Sequence, residues 1–182
     1  MVSHTNHAQA DIPCVQWSDE GGINVEPYYP IDRCYWDYMR VYSTQATTLL
    51  SATPQSIPAS WMILKQAIPA HVDTLDEDES GLQGFGTMLV VPGGQTLSTS
   101  FRFALPSGQV LSMDSTGRTF TYHLTIRKQP GTLAVPLILH IRLPDNVMVK
   151  SLPPGGIIQG KDIMLQTDLR VDFHADVVFG SP

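Results

Sequence analysis

Residues 120–142, FTYHLTIRKQPGTLAVPLILHIR, decide the fold class. Phe120, Tyr122, Leu124 and Ile126 alternate with Thr121, His123, Thr125 and Arg127. Beyond Lys128-Gln129-Pro130-Gly131-Thr132, the residues Val135, Leu137, Leu139 and Ile141 alternate with Ile138, His140 and Arg142. Successive side chains of a strand point to opposite faces, so this period of two predicts strands with one apolar and one wet face. Pro130-Gly131 is a type II turn signal that predicts a hairpin. A dry face and a wet face per strand is the pattern of antiparallel sheets packed on one side.

The same period extends in both directions. In residues 97–105, Leu97, Thr99, Phe101, Phe103 and Leu105 share one face, and Ser98, Ser100 and Arg102 take the other. Pro92-Gly93-Gly94 reads as a turn that joins this strand to residues 84–91 as its hairpin partner. Residues 34–43, CYWDYMRVYS, are aromatic and β-branched and read as a central strand. Residues 169–179 read as one last strand with Val171, Phe173, Ala175 and Val177 inward and Asp172, His174 and Asp176 outward. About ten strands result, with no helical pattern longer than two turns. The expected architecture is an all-β antiparallel sandwich, immunoglobulin-like or jelly-roll-like. Residues 1–11 are expected as a disordered arm and 12–182 as a single domain.

Composition narrows the function classes. Charged residues are 15% of the chain, against roughly 25% in ordinary soluble domains. The net charge of −6 argues against a nucleic-acid partner, because phosphate binding needs clustered Lys and Arg. No run approaches the roughly 18 apolar residues of a membrane helix, so no membrane insertion is expected of this chain. Cys14 and Cys34, separated by 20 residues, are expected to form a disulfide worth about 3 kcal/mol of loop-closure entropy. Two thiols without a nearby His make a poor metal site.

Catalytic signatures are missing: no Gly-rich phosphate loop, HExxH, GxSxG or CxxC. Non-catalytic work is therefore expected, with no cofactor. Three constellations are candidates. Asp73, Asp76, Glu77, Asp78 and Glu79 form an acidic stretch that reads as an exposed loop and lacks the ligand alternation of a calcium loop. Asp172, His174 and Asp176 fall on one strand face, with His123 and His140 on the wet face of the expected hairpin. Such side chains are weak candidates for a metal ion and hence for a metal-dependent enzyme. Tyr28, Tyr29, Tyr35, Trp36, Tyr38 and Tyr42 form an aromatic cluster. Tyr28, Tyr29 and Tyr35 are the candidates for stacking on a carbohydrate, the remainder for core.

Arg40-Val41-Tyr42, Pro92-Gly93-Gly94 with Pro106, and Lys128-Gln129-Pro130-Gly131 fall in an order with a family likeness. Over residues 33–150 the chain resembles the C-terminal extracellular β-rich region of the bacterial family called domain of unknown function 4012. The resemblance implies export, a membrane anchor upstream, and a cell-surface location that agrees with oxidised cysteines. It carries over no active-site residue. The expectation is a structural or recognition module of a larger envelope protein, its partner a protein or a cell-envelope polysaccharide. A homodimer formed through an exposed sheet edge is a third role.

Overall fold

A computed structural model describes residues 1–8, 14–15, 34–76 and 80–181. The fold is all-β and sandwich-like, with fourteen strands among the described residues and antiparallel pairing throughout. Where one domain over 12–182 is expected from sequence, the chain divides into two compact units, Met1–Leu105 and Pro106–Pro182. Each closes apolar clusters of its own.

The first unit holds β1 (Val2–Thr5), β2 (Tyr35–Thr44), β3 (Thr48–Ala52), β4 (Asp73–Leu75), β5 (Leu82–Val91), β6 (Thr96–Thr99) and β7 (Phe101–Ala104). β5 is its central strand, between β2 and β4. Its apolar run buries both faces: Leu89 and Val91 pack with Met39, and Val90 packs with Ile57, Cys14 and Cys34. Thr87, buried among them, donates to the His71 carbonyl at 2.9 Å, so its hydroxyl is satisfied. The Cys14–Cys34 disulfide forms as expected, with the Cα atoms 5.4 Å apart.

Several sequence readings change here. β2 is an edge strand, not a central one. Residues 2–5 of the expected arm form β1, whose alternating Ser3 and Thr5 bond the hydroxyls of Ser98 and Thr96 on β6. The segment 97–105 is two strands with different partners, β6 on β1 and β7 on β3, so the expected hairpin with 84–91 does not exist. The break falls at Ser100, whose backbone N–H turns to the Thr53 hydroxyl at 2.9 Å.

The second unit begins with one helical turn, α1 (Ser107–Val110), and continues with β8 (Leu111–Met113), β9 (Thr119–Ile126), β10 (Val135–Arg142), β11 (Met148–Ser151), β12 (Ile157–Gln159), β13 (Asp162–Leu169) and β14 (Phe173–Gly180). One sheet has the order β10-β13-β12 and the other β11-β14-β9-β8. Their inner faces share a cluster of Leu143, Ile163, Val177 and Phe179, with Phe120, Tyr122 and Ile141 beside it. The alternation in 120–142 is real, yet the two segments lie in different sheets and do not form a hairpin. Gly131 still takes the left-handed conformation that the turn signal demands, φ 80°. The expected last strand is also two elements. β13 ends at Leu169, the chain turns, and Val171 is 74% exposed instead of inward.

Gly180 closes the junction of β14 with β9 and β11. A Cβ there would lie 2.3 Å from the Arg118 carbonyl oxygen, a backbone atom fixed by the sheet. Gly180→Ala is expected to cost roughly 1–3 kcal/mol through overpacking. A lowered urea midpoint checks this, and an unchanged midpoint would show that the strand end yields freely.

Candidate functional site

Two surfaces bring chemically useful side chains together. The first lies on β2, β5 and β4. Register places Trp36, Tyr38, Arg40 and Tyr42 opposite Val90, Met88, Gly86 and Gly84 on one sheet face, with Asp73 and Leu75 next across on β4. The Trp36 end is covered by the disulfide cluster. Farther along, the two glycines leave room for rings to lie against the sheet. A Cβ on Gly86 would meet the Tyr38 ring at 2.6 Å, and one on Gly84 would meet the Tyr42 ring at 3.2 Å. Glycine in a strand interior commonly marks such a close approach.

Tyr38 and Tyr42 remain 38% and 42% exposed. The Tyr38 hydroxyl donates to Asp73 Oδ2 at 2.6 Å, while Asp73 Oδ1 lies 3.3 Å from His71 Nε2. The Arg40 guanidinium carbon stands 5.9 Å from the Tyr38 ring centroid. The result is a pair of aromatic faces bordered by a cation and a carboxylate. Tyr38 and Tyr42, assigned to core on sequence grounds, thus lie on the outer surface. The signal for this was legible in Gly84-Phe85-Gly86.

Tyr35 belongs to the opposite face of β2. It is 47% exposed and stacks near His4, with centroids 6.5 Å apart. Burial first, and then the Asp37 carboxylate, raise its phenol above the usual value. Burial lowers the His4 imidazole, with Asp37 opposing. Tyr28 and Tyr29 lie outside the described residues, as do Glu77, Asp78 and Glu79. Asp73 of the expected acidic loop is a β4 strand residue, and Asp76 is exposed.

The second surface is the outer face of β8, β9 and β14, where Asp176 sits directly opposite His123 and His174 opposite Thr125. His123 Nδ1 is 2.8 Å from Asp176 Oδ1, and His123 Nε2 is 2.8 Å from Ser112 Oγ on β8. His174 Nδ1 meets Thr125 Oγ1 at 3.1 Å. Asp172 accepts from the Lys128 backbone N–H and from Arg127, each at 2.9 Å. Those two donors, the backbone one first, hold its carboxyl below the usual range.

The structure does not gather the metal candidates around one point. Asp172, His174 and Asp176 each turn to a different neighbour, because residues two apart on a strand are spaced too widely to share an ion. His140 sits in the other sheet, 3.1 Å from Asp162. Among the described residues no group of three or more His, Cys, Asp or Glu side chains is placed to hold a metal.

Sequence reasoning missed Ser112. Its position could have been found from Asp114-Ser115-Thr116-Gly117, a turn signal that sets β8 against β9. Asp114 Oδ1 there accepts from the backbone N–H groups of Thr116 and Arg118, both at 3.1 Å, and of Thr119 at 3.3 Å. Hydrogen bonds from Thr116 and Thr119 hold its carboxyl well below the usual carboxylate range.

Comparison with family models, curated proteins and solved structures finds no match to this chain.

Proposed function

We propose that this chain is a recognition module of a larger bacterial envelope protein, displayed outside the cell and binding an extended cell-envelope polysaccharide or a protein. The observation that carries the reading is the surface of Tyr38, Arg40 and Tyr42 over Gly84 and Gly86. A tyrosine ring buries a large apolar area with little entropy cost, and a sugar ring offers a matching flat apolar face. Arg40 and Asp73 supply the donor and acceptor that hydroxyl groups require. The disulfide supports an oxidising compartment, since cytosolic thiols are kept reduced. Among the described residues no helix is long and apolar enough to cross a membrane.

Retention of the protein on a panel of cell-envelope polysaccharides tests the reading. Tyr38→Ala and Tyr42→Ala are each expected to weaken binding about tenfold, roughly 1.4 kcal/mol for one stacked ring. Retention that survives both substitutions would move the site elsewhere. No retention on any polysaccharide would leave a protein partner as the reading.

A further inference from the structure

The row Ser112, His123 and Asp176 has an order that its neighbours lack. Thr125 with His174, and Arg127 with Asp172, are pairs, whereas here a hydroxyl, an imidazole and a carboxylate are joined in sequence at 2.8 Å and 2.8 Å. A carboxylate only accepts, so the neutral His123 ring carries its proton on Nδ1 toward Asp176. That tautomer leaves Nε2 as the acceptor of the Ser112 hydroxyl proton. A nucleophile, a base and a group orienting the base are the parts of acyl-transfer chemistry.

The backbone supplies a further part. β8 is the last strand of its sheet, so among the described residues no strand pairs with its other side. Paired residues of antiparallel strands alternate between exchanging hydrogen bonds and turning their N–H groups away. The Asp114 N–H bonds the Thr119 carbonyl, and the Leu111 N–H turns back to Ser107. Alternation therefore makes Ser112–Thr121 a bonded pair and aims the Met113 N–H at that other side. The residue after the nucleophile thus carries a backbone N–H on the strand edge beside it, the kind of donor that stabilises an oxyanion.

We propose that Ser112 is an acyl-accepting nucleophile that cleaves exposed carboxylic esters, with His123 as general base and Asp176 as the residue that orients it. This activity goes beyond the binding role and does not depend on it. In the first step Ser112 Oγ bonds the ester carbonyl carbon and passes its proton to His123 Nε2. The carbon–oxygen bond to the alcohol breaks, and Nε2 returns the proton to the departing alkoxide. Water then gives a proton to Nε2 as its oxygen attacks the acyl carbon. The bond from that carbon to Ser112 Oγ breaks, Nε2 returns the proton to Oγ, and the carboxylic acid leaves with Ser112 and His123 restored. The row lies on an open sheet face, with the Asp176 side chain 64% exposed, so the fitting substrate is an ester displayed on an extended molecule.

The test treats the whole chain with a fluorophosphonate probe and locates adducts by peptide mass spectrometry, alongside hydrolysis of 4-nitrophenyl acetate. Ser112 is expected to label faster than the exposed Ser98, whose hydroxyl bonds that of Ser3. Ser112→Ala should abolish that adduct and the hydrolysis. His123→Gln should slow both on the order of 100-fold, the usual contribution of a general base. Asp176→Asn should slow both as well, because an amide no longer fixes the tautomer. All three side chains are on the surface, so an unchanged circular-dichroism melt verifies folding. Labelling of Ser112 no faster than of Ser98, or unaffected by His123→Gln, overturns the proposal.

Discussion

Phe179→Ala is expected to lower the stability of the second unit by about 3–5 kcal/mol, the usual cost of removing a buried phenylalanine. Phe179 is 6% exposed and stacks on Phe120, with ring centroids 5.8 Å apart. It belongs to the cluster of Leu143, Ile163 and Val177, to which both sheets contribute. Truncation leaves a void between sheets whose backbones are fixed by their own ladders, so little collapse can offset the loss. Chemical denaturation followed by tryptophan-independent far-ultraviolet dichroism reads the effect, since the three tryptophans all precede residue 106. A change below about 1 kcal/mol would mean that Phe179 does not fill this core.

Replacing Cys14 and Cys34 together by alanine is the second large effect, a loss of about 3 kcal/mol from freeing a loop of this size in the unfolded chain. For a unit of this length that corresponds to a fall in melting temperature of roughly 10–20 °C. Both sulfurs are buried against Ile57 and Val90, with Trp36 and Trp61 alongside, so the substitution also removes packing. A reducing agent should produce most of the same shift without any mutation. An unchanged melting temperature in both experiments would separate the disulfide from folding and remove the support it lends to an oxidising compartment.

The parts that the sequence made legible are those governed by neighbouring residues. Alternation in 120–126 and 135–142 predicted the faces of β9 and β10 correctly, and the cysteine spacing predicted the disulfide. Partner choice was not legible, because it depends on contacts far apart in the chain. Pro130-Gly131 marks a reversal of direction equally well whether the next strand pairs with the last or joins another sheet. Leu97 to Leu105 keeps a single period through Ser100, so nothing in the pattern announces that the pairing changes there.

The candidate sites follow the same division. Outward Asp172, His174 and Asp176 were legible as wet-face residues, but their partners Arg127, Thr125 and His123 are set by the β9–β14 register. Tyr38 and Tyr42 were misassigned because an aromatic strand suggests burial. Gly84 and Gly86 were the available hint, and the β2–β5 register turns it into a placement by setting both rings against those glycines.

The pairing of β1 with β6 has a consequence for the order of events on the ribosome. Ser3 and Ser98 are 95 residues apart, so β1 emerges long before the strand it needs. Closing so long a loop is slow and comes at an entropic cost, which only later contacts offset. During synthesis the row of N–H and C=O groups on β1 has no partner of its own and is open to pairing with another chain. The interval between the two strands is thus a stretch of synthesis in which mispairing is opposed by nothing that stabilises the finished protein.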